Sequence, residues 1–250
     1  MADWMSSLPT AKTKIPLSRL FIPGSENSCT FCVNEKDELG CDLSPHLKAM
    51  SSFPSGKASL CRWMQHQSVN VETQLSLGVR YLHMKVAARG EDLFVVVFLH
   101  LSNFYNFSAG DWKMLKGLLE IIVLADHSLL SECMFLWGEA VKRHDCQSED
   151  VLATCAIYEE DAKEDEKKEK EEESEQRADR LQVLPAVASL SLHSALQQPF
   201  GSYEKEFGRP ATRKLEGWLT DPVRSLPPSV ISTHFVDEGR FCQAVIQLNY

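Results

Sequence analysis

The side chains best placed for chemistry follow a short apolar run near the start of this 250-residue chain. Residues 20–22 (Leu-Phe-Ile) predict a strand, and residues 25–28 (Ser-Glu-Asn-Ser) are small or polar. Proline cannot donate to a β-ladder and glycine permits tight turns, so the strand is predicted to stop at Pro23. Folds of the α/β class usually place their chemistry at such strand ends. Glu26 is the proton acceptor that this turn presents, although a reference pKa of about 4.3 makes it a weak base.

A second stretch, residues 71–86, places an imidazole and an ammonium group on one strand. Its first half predicts a short helix with Gly78 as the C-terminal stop. Its second half alternates, so that His83 and Lys85 share a face. His83 contributes the imidazole and Lys85 the ammonium group to this face.

Cys29 and Cys32 have Cys-x-x-Cys spacing, and Cys41 follows them. A zinc site requires a second close pair of ligands, which is missing here. A redox motif belongs between a strand and a helix of a thioredoxin-like unit, which the surrounding sequence does not resemble. The three residues are therefore predicted to be thiols in a partly buried turn, and neither a metal nor a cofactor is expected.

Composition favours one globular domain with a solvated acidic segment. The formal net charge is −9, and the run 159–180, with 12 acidic and 6 basic residues, supplies −6 of it. The remainder is only mildly acidic, so nucleic-acid binding is not expected. Pro9 and Pro16 interrupt any signal-peptide pattern, and eight cysteines without such a signal favour reduced thiols. The expected location is the cytoplasm.

Periodicity predicts the remaining elements. Strands are predicted over Leu93–Leu101, as a central strand of a parallel sheet or barrel, and over Val151–Tyr158. Helices are predicted over Trp112–Leu124, with a β-prone tail, over Leu129–Val141 and over Arg213–Leu219.

Three stretches carry a resemblance to a known family. They are Leu-x-x-Leu-x-Ile-Pro-Gly-Ser at 17–25, Gln-Leu-x-x-Gly-Val-Arg-Tyr at 74–81, and the end of the chain from 230, which closes on Val-Ile-x-Leu-Asn at 245–249. The chain resembles the X domain of phosphatidylinositol-specific phospholipases C, and most of all the small vertebrate proteins that consist of little more than this domain. The resemblance covers residues 1–33, 71–105 and 230–250. It implies an α/β fold, an irregular or incomplete TIM-barrel-like X domain, with a final barrel strand from Val230 that leads into a helix. Residues 1–158 would be its N-terminal part, 159–180 a charged linker or insertion, and 181–250 its C-terminal part.

The resemblance also implies roles for individual positions, and most carry altered residues. Glu26 stands where the family has its catalytic base, a histidine. His83 and Lys85 stand where bacterial-type members have a supporting Asp and a phosphate-binding Arg, so Lys85 is the expected substrate-binding residue. Calcium-dependent members have two acidic ligands at those positions, and calcium dependence is therefore not expected here. His234 replaces a family Asp.

His100 allows two alignments. Residues 99–105 (Leu-His-Leu-Ser-Asn-Phe-Tyr) match a family strand in which an Asp takes the place of His100, and an earlier segment with a His-Gly pair is then deleted. Alternatively, His100 is the family's general acid and Leu101 replaces the glycine. A deletion would leave the barrel short of a strand, with unpaired edges that put stable folding in question.

These positions predict a phosphoric diester hydrolase of lipid metabolism and signalling whose activity is impaired. Losing a positioned acid or base typically costs about 10²–10⁴-fold in rate. Lysine also lacks the bidentate fork that arginine offers to phosphate. The alternative is a pseudoenzyme that binds a lipid headgroup or a protein without turnover. A phosphoinositide headgroup and a membrane surface are the expected partners, and the oligomeric state is not predicted.

Overall fold

The computed structural model describes residues 1–36, 38–39, 45–89, 92–97, 100–101, 112–123, 133–136, 141–143, 148, 150–158, 160, 181–189, 197–198, 200–222, 226–227 and 229–250. The strands in this part of the chain are β1 (Ile22–Ser25), β2 (Glu38–Leu39), β3 (Tyr81–Arg89), β4 (Asp92–Val97), β5 (His100–Leu101), β6 (Trp112–Val123), β7 (Cys133–Leu136), β8 (Val141–Arg143), β9 (Leu181–Pro185) and β10 (Val230–Thr233). The α-helices are α1 (Pro45–Ser51), α2 (Pro54–Met64), α3 (Val71–Ser76), α4 (151–158), α5 (Arg209–Leu219) and α6 (Phe241–Gln247). Short 3₁₀ turns cover Leu17–Arg19 and Thr30–Cys32, and a π-helical turn covers Glu204–Gly208.

A parallel sheet forms the centre of the molecule. β1 lies between β3 and β10, and β9 and β8 continue the sheet beyond β10, with every one of these neighbours parallel. This sheet curls into a half-barrel. The predicted fold, an incomplete TIM-barrel-like α/β domain, is confirmed.

β1 continues through Pro23 and Gly24, so the predicted stop at Pro23 is wrong. Pairing with β3 begins only at Gly24 and Tyr81, and the missing N–H of Pro23 therefore costs no ladder hydrogen bond. The carbonyl of Pro23 still accepts from Arg80 N at 2.9 Å. Gly24 is required by close approach, because a Cβ there would lie 2.7 Å from the Cβ of Ser232 and 2.9 Å from a ring carbon of Tyr81.

The two faces of the parallel strands pack against different layers. The interior face packs on the N-terminal segment, and its members are Ile22, Tyr81, Leu181, Val183 and Val230, with Trp4, Leu8 and Leu20. The outer face packs on α5 and α6, and its members include Leu184, Ile231, Leu215, Trp218, Phe241 and Val245. The last helix also closes on the first strand. Asn249 Oδ1 accepts from Phe21 N at 2.9 Å, and Asn249 Nδ2 donates to Phe21 O at 2.9 Å.

Several predicted elements are confirmed. Val71–Ser76 is helical, Gly78 follows it with φ +108°, and the strand β3 comes next. The helix predicted from Arg213 to Leu219 begins four residues earlier, at Arg209. The final strand and helix are β10 and α6.

The middle of the chain differs from the prediction. Leu93–Leu101 does not form one parallel strand, because β4 runs antiparallel to β3 and residues 100–101 belong to the separate strand β5. The helix predicted over Trp112–Leu124 is the strand β6, which pairs along the whole of β3, and this pairing overrides the helical spacing of its apolar residues. Within Leu129–Val141, the described residues 133–136 and 141 are strands rather than helix.

The strand predicted over Val151–Tyr158 is the helix α4. Its buried residues are Val151, Thr154, Cys155 and Tyr158, which is the i, i+3, i+4, i+7 spacing of one helix face. All but one of residues 159–180 lie outside the described part, so the predicted boundaries at 158 and 180 stay a prediction. In the described part of the chain, no helix combines the length and the apolar character needed to cross a membrane.

Candidate functional site

The carboxyl ends of β1 and β10, beside the first part of β3, bring the polar side chains together. Glu26 follows β1, and its amide donates to the carbonyl of Thr233, the last residue of β10, at 3.0 Å. His234 follows β10, and His83 lies within β3 beside the end of β1. Parallel strands end at the same edge of a sheet, so residues far apart in sequence meet there.

Glu26, His83 and Ser232 form what we call the carboxylate cluster. The carboxylate of Glu26 receives two contacts, because Oε2 lies 2.8 Å from His83 Nδ1 and Oε1 accepts from Ser232 Oγ at 2.5 Å. Glu26 is 3% exposed and His83 is 4% exposed, so solvent contributes little to the contacts of this pair. A charge this deep in the fold is tolerated only when it is paired and hydrogen-bonded, and both conditions hold.

The carboxylate also orients the imidazole of His83. Two groups approach His83 Nδ1, the carboxylate at 2.8 Å and the amide of Asn27 at 3.4 Å. The shorter contact assigns the proton to Nδ1, which then donates to Glu26 and cannot accept from Asn27. The other ring nitrogen, Nε2, is buried with no hydrogen-bond partner among the described residues.

Asn27, His66, Tyr203 and His234 form the histidine cluster beside it. The rings of His66 and His234 stack, with centroids 4.3 Å apart and planes 17° apart. The amide nitrogen of Asn27 lies 3.3 Å from His66 Nδ1 and 3.3 Å from His234 Nε2. The Tyr203 hydroxyl donates to the carbonyl of Ala188 at 2.6 Å and lies 2.7 Å from His234 Nδ1.

One assignment of protons is consistent with the described hydrogen bonds of the histidine cluster. Tyr203 uses its hydrogen on Ala188, so His234 Nδ1 must donate to the phenol oxygen, and His234 Nε2 is then an acceptor. The two amide hydrogens of Asn27 serve His234 Nε2 and His66 Nδ1. Burial, and secondarily the negative charge of Glu26, raise the pKa of Tyr203, which therefore stays a phenol.

The backbone around these clusters is held by a buried glutamine and by two residues with unusual dihedral angles. Gln67 Nε2 donates to the carbonyls of Glu26 at 2.9 Å and Thr233 at 3.1 Å, so it ties the ends of β1 and β10 together. Asn27 and Phe235 each have φ +49°, in the left-handed region that non-glycine residues rarely adopt. Such conformations cluster at functional sites because the surrounding structure must enforce them.

Outside the clusters, Arg209 joins three carboxylates, and we call Ser68, Glu204, Arg209, Asp237 and Glu238 the arginine clamp. Its guanidinium lies 2.7 Å from Glu204, 2.9 Å from Asp237 and 2.7 Å from Glu238. The same group lies over the ring of Phe235 at 5.2 Å. Its hydrogen bond lowers the pKa of Glu238. The clamp fixes the turn that carries His234.

A cavity of about 540 Å³ lies away from this chemistry. It is lined by Phe21, Leu219, Pro222, Leu226 and Leu248, among others. Phe21 precedes β1, whereas Glu26 follows it, so the cavity is at the opposite end of the sheet. α/β folds place their ligands at the carboxyl ends of the strands, and we therefore assign the candidate site to the two clusters.

Of the four predicted site residues, the structure brings two into contact. Glu26 and His83 form one pair. Lys85 lies two residues after His83 in β3 and His100 lies in β5, which is separated from β3 by β4, but both side chains lie outside the described residues. Sequence reasoning missed His66 and Tyr203. The polar triplet Gln65-His66-Gln67 directly after an amphipathic helix was the available signal for His66, and Tyr203 had none.

Comparisons with known proteins give consistent partial matches. The chain is 35% identical over 91 residues to PI-PLC X domain-containing protein 2 of Homo sapiens, which is 36% of this chain and 30% of that protein. It is 31% identical over 94 residues to protein 3 (37% and 29%) and 34% identical over 87 residues to protein 1 (34% and 27%), both from Homo sapiens. The chain thus matches about 30% of the length of these curated relatives. No family model and no solved structure matches it.

Proposed function

We propose that this chain, a member of the PI-PLC X domain-containing family by the matched third of its length, is a catalytically impaired phosphoric diester hydrolase of that family. One observation carries the proposal. Glu26, at the position where the resemblance implies the catalytic base, has both carboxylate oxygens engaged by His83 and Ser232 and is 3% exposed. The residue that should receive the substrate proton is part of the protein interior.

The chemistry of a general base explains why this matters. A base must bring a lone pair within hydrogen-bond reach of the hydroxyl that it deprotonates, with a pKa near the working pH. In the structure, Oε2 of Glu26 faces His83 Nδ1 and Oε1 accepts from Ser232 Oγ, so both carboxylate oxygens already face internal groups. Its negative charge would also repel an anionic phosphodiester held nearby. Each effect lowers the rate of the family reaction.

The second candidate is binding of a lipid headgroup without turnover, and the orientation of His83 favours it. Its Nε2 has no hydrogen-bond partner among the described residues, and it lies beside the strand ends where an inositol hydroxyl would lie in a family-like complex. If this second candidate is right, the same end of the half-barrel would also contact a membrane surface. Both candidate functions go with a cytoplasmic location. The described cysteine side chains are thiols, which is the state that a reducing compartment preserves.

Hydrolysis is tested with phosphatidylinositol micelles in the presence of a metal chelator, next to an active relative assayed in parallel. We expect no inositol phosphate above the enzyme-free blank from the parent chain. The double variant Glu26→His with Lys85→Arg restores the family residue types. Activity in this variant alone would support point changes as the cause of the impairment. If neither protein is active, the impairment extends beyond these two positions. Release by the parent chain at the rate of the active relative would overturn the proposal.

Binding is tested by flotation with three kinds of phosphatidylcholine vesicle: plain, with phosphatidylserine, and with phosphatidylinositol phosphates at matched charge. Retention on the phosphoinositide vesicles alone supports headgroup binding. Equal retention on the phosphatidylserine and the phosphoinositide vesicles would show that binding depends only on surface charge. No retention on any vesicle would overturn headgroup binding and favour a protein partner instead. Fractionation of cells that express the chain tests the cytoplasmic location.

A further inference from the structure

The two cysteines with Cys-x-x-Cys spacing lie across a single turn directly after the candidate site. Cys29 caps the 3₁₀ turn Thr30–Cys32, with φ −94° and ψ 6°. The thiol of Cys32 folds back over this turn, and its sulfur lies 3.1 Å from the carbonyl oxygen of Cys29. Residues three apart on a helical turn have Cβ atoms about 5–6 Å apart, and a disulfide needs about 3.5–4.5 Å. A small tightening of the turn therefore brings the two sulfurs within bonding distance.

The two thiols differ in their surroundings. Cys29 is 5% exposed, and its sulfur lies 3.4 Å from the sulfur of Met84. Burial, and then the neighbouring Cys32, raise the pKa of Cys29 to about 12, so it is a poor nucleophile by itself. Cys32 is only partly buried. An oxidant from solution thus reaches Cys32 first, and Cys29, at the start of the same turn, can act second on the Cys32 sulfur.

We propose that Cys29 and Cys32 are a modification site that closes to an intramolecular disulfide when the protein meets a low-molecular-weight disulfide such as glutathione disulfide. The thiolate of Cys32 attacks one sulfur of glutathione disulfide, the S–S bond breaks, and one glutathione leaves as a thiolate. Cys29 then turns from Met84, loses its proton and attacks the Cys32 sulfur of the mixed disulfide, which releases the second glutathione. Two protein thiols are oxidised, one glutathione disulfide is reduced, and the two protons end on the two glutathione thiols.

The bridge would act on the candidate site through Thr30, which it encloses. The amide and the hydroxyl of Thr30 both donate to the carbonyl of Asn27, at 3.0 and 2.9 Å. The same hydroxyl accepts from the amide of His66 at 3.0 Å. Thr30 therefore links the backbones of Asn27 and His66, two members of the histidine cluster. This inference is independent of whether the chain hydrolyses phosphodiesters.

The test uses the purified full chain, fully reduced and then exposed to glutathione disulfide. After an acid quench, the remaining thiols are alkylated and the chain is digested. The mass of the peptide that contains residues 29–32 is then measured by mass spectrometry. We expect this peptide to lose both alkylation sites and to carry no glutathione, and reduction to restore both sites. The variant Cys29→Ser, which lacks the second thiol, should instead keep glutathione on Cys32.

Two controls separate the proposed bridge from general thiol oxidation. Cys242→Ser removes another buried thiol and should leave the bridge intact. The parent chain provides a readout that needs no variant, since the mixed disulfide on Cys32 should appear before the bridge and decay into it. A mixed disulfide that persists, a peptide that stays fully alkylated, or pairing of Cys29 with any cysteine other than Cys32 would overturn the proposal.

Discussion

The carboxylate cluster and the arginine clamp both surround β10, but they hold their charges in opposite ways. Glu26 in the carboxylate cluster is 3% exposed and meets an imidazole and a hydroxyl. Arg209 in the arginine clamp has a side chain that is 24% exposed and meets three carboxylates. A buried charge depends on every one of its partners, because no water replaces a lost contact, whereas an exposed charge exchanges partners with water at little cost. Substitutions in the carboxylate cluster should therefore destabilise the fold strongly, and substitutions in the arginine clamp only weakly.

The largest effect is expected from removing the buried carboxylate. Glu26→Ala leaves His83 Nδ1 and the Ser232 hydroxyl without their acceptor and should lower the free energy of unfolding by about 3–5 kcal/mol. The matched control is Glu204→Ala at the rim, where one exposed ion pair is worth at most about 1 kcal/mol. Urea denaturation of both variants measures the difference, and equal losses would show that burial does not distinguish the two sites.

A steric version of the comparison uses two glycines. Gly24→Ala brings a methyl group to 2.7 Å from the Cβ of Ser232 and should cost about 1–3 kcal/mol by overpacking. Gly217 lies in α5, where an added methyl group would have nothing within 4 Å, and Gly217→Ala should stabilise the helix by about 1 kcal/mol. Midpoints of thermal unfolding should therefore move in opposite directions. A neutral Gly24→Ala would mean that the half-barrel interior can expand at this point.

The smallest effect is expected at the rim, and it should depend on pH. Arg209 lowers the pKa of Glu238, so the folded state binds this proton less readily than the unfolded state. The resulting stability is present above the unfolded pKa, about 4.3, and is lost as the pH falls through the folded value. Arg209→Ala should cost about 1–2 kcal/mol near pH 7 and less below about pH 4. Urea titrations at both pH values, with Glu204→Ala for comparison, measure the change, and a cost that grows on acidification would contradict this account.

Part of the parallel half of the sheet could be predicted from the sequence, and the antiparallel half could not. β3 follows from a period of two, Gly78 marks the helix end before it, and β10 was expected from the family resemblance, whereas β8 and β9 were not predicted. β6 was missed because its apolar residues also fit a helix, and only its pairing with β3 decides between the two. The direction of β4 was missed because an apolar run does not encode whether its neighbour is parallel.

The candidate site was half predictable for a similar reason. Glu26 follows a strand and a Pro-Gly pair, so its place at a strand end could be read from its neighbours. The contacts of His66 with Asn27 and of Tyr203 with His234 join residues 39 and 31 positions apart. Such contacts depend on how helices and loops fold over the strand ends. Local sequence carries no record of that packing.

The closure of the first strand by the last elements has a consequence for the order of folding. β1 pairs with β10, and Phe21 binds Asn249, which lies 228 residues further along the chain. These contacts have a very high sequence separation, so loop-closure entropy must be overcome before they stabilise anything. During synthesis at a ribosome, β1 would wait for nearly the entire chain to emerge before its second neighbour arrives. The central strand of the sheet is therefore completed among the last, and the nascent chain would be prone to aggregation through that unpaired edge until then.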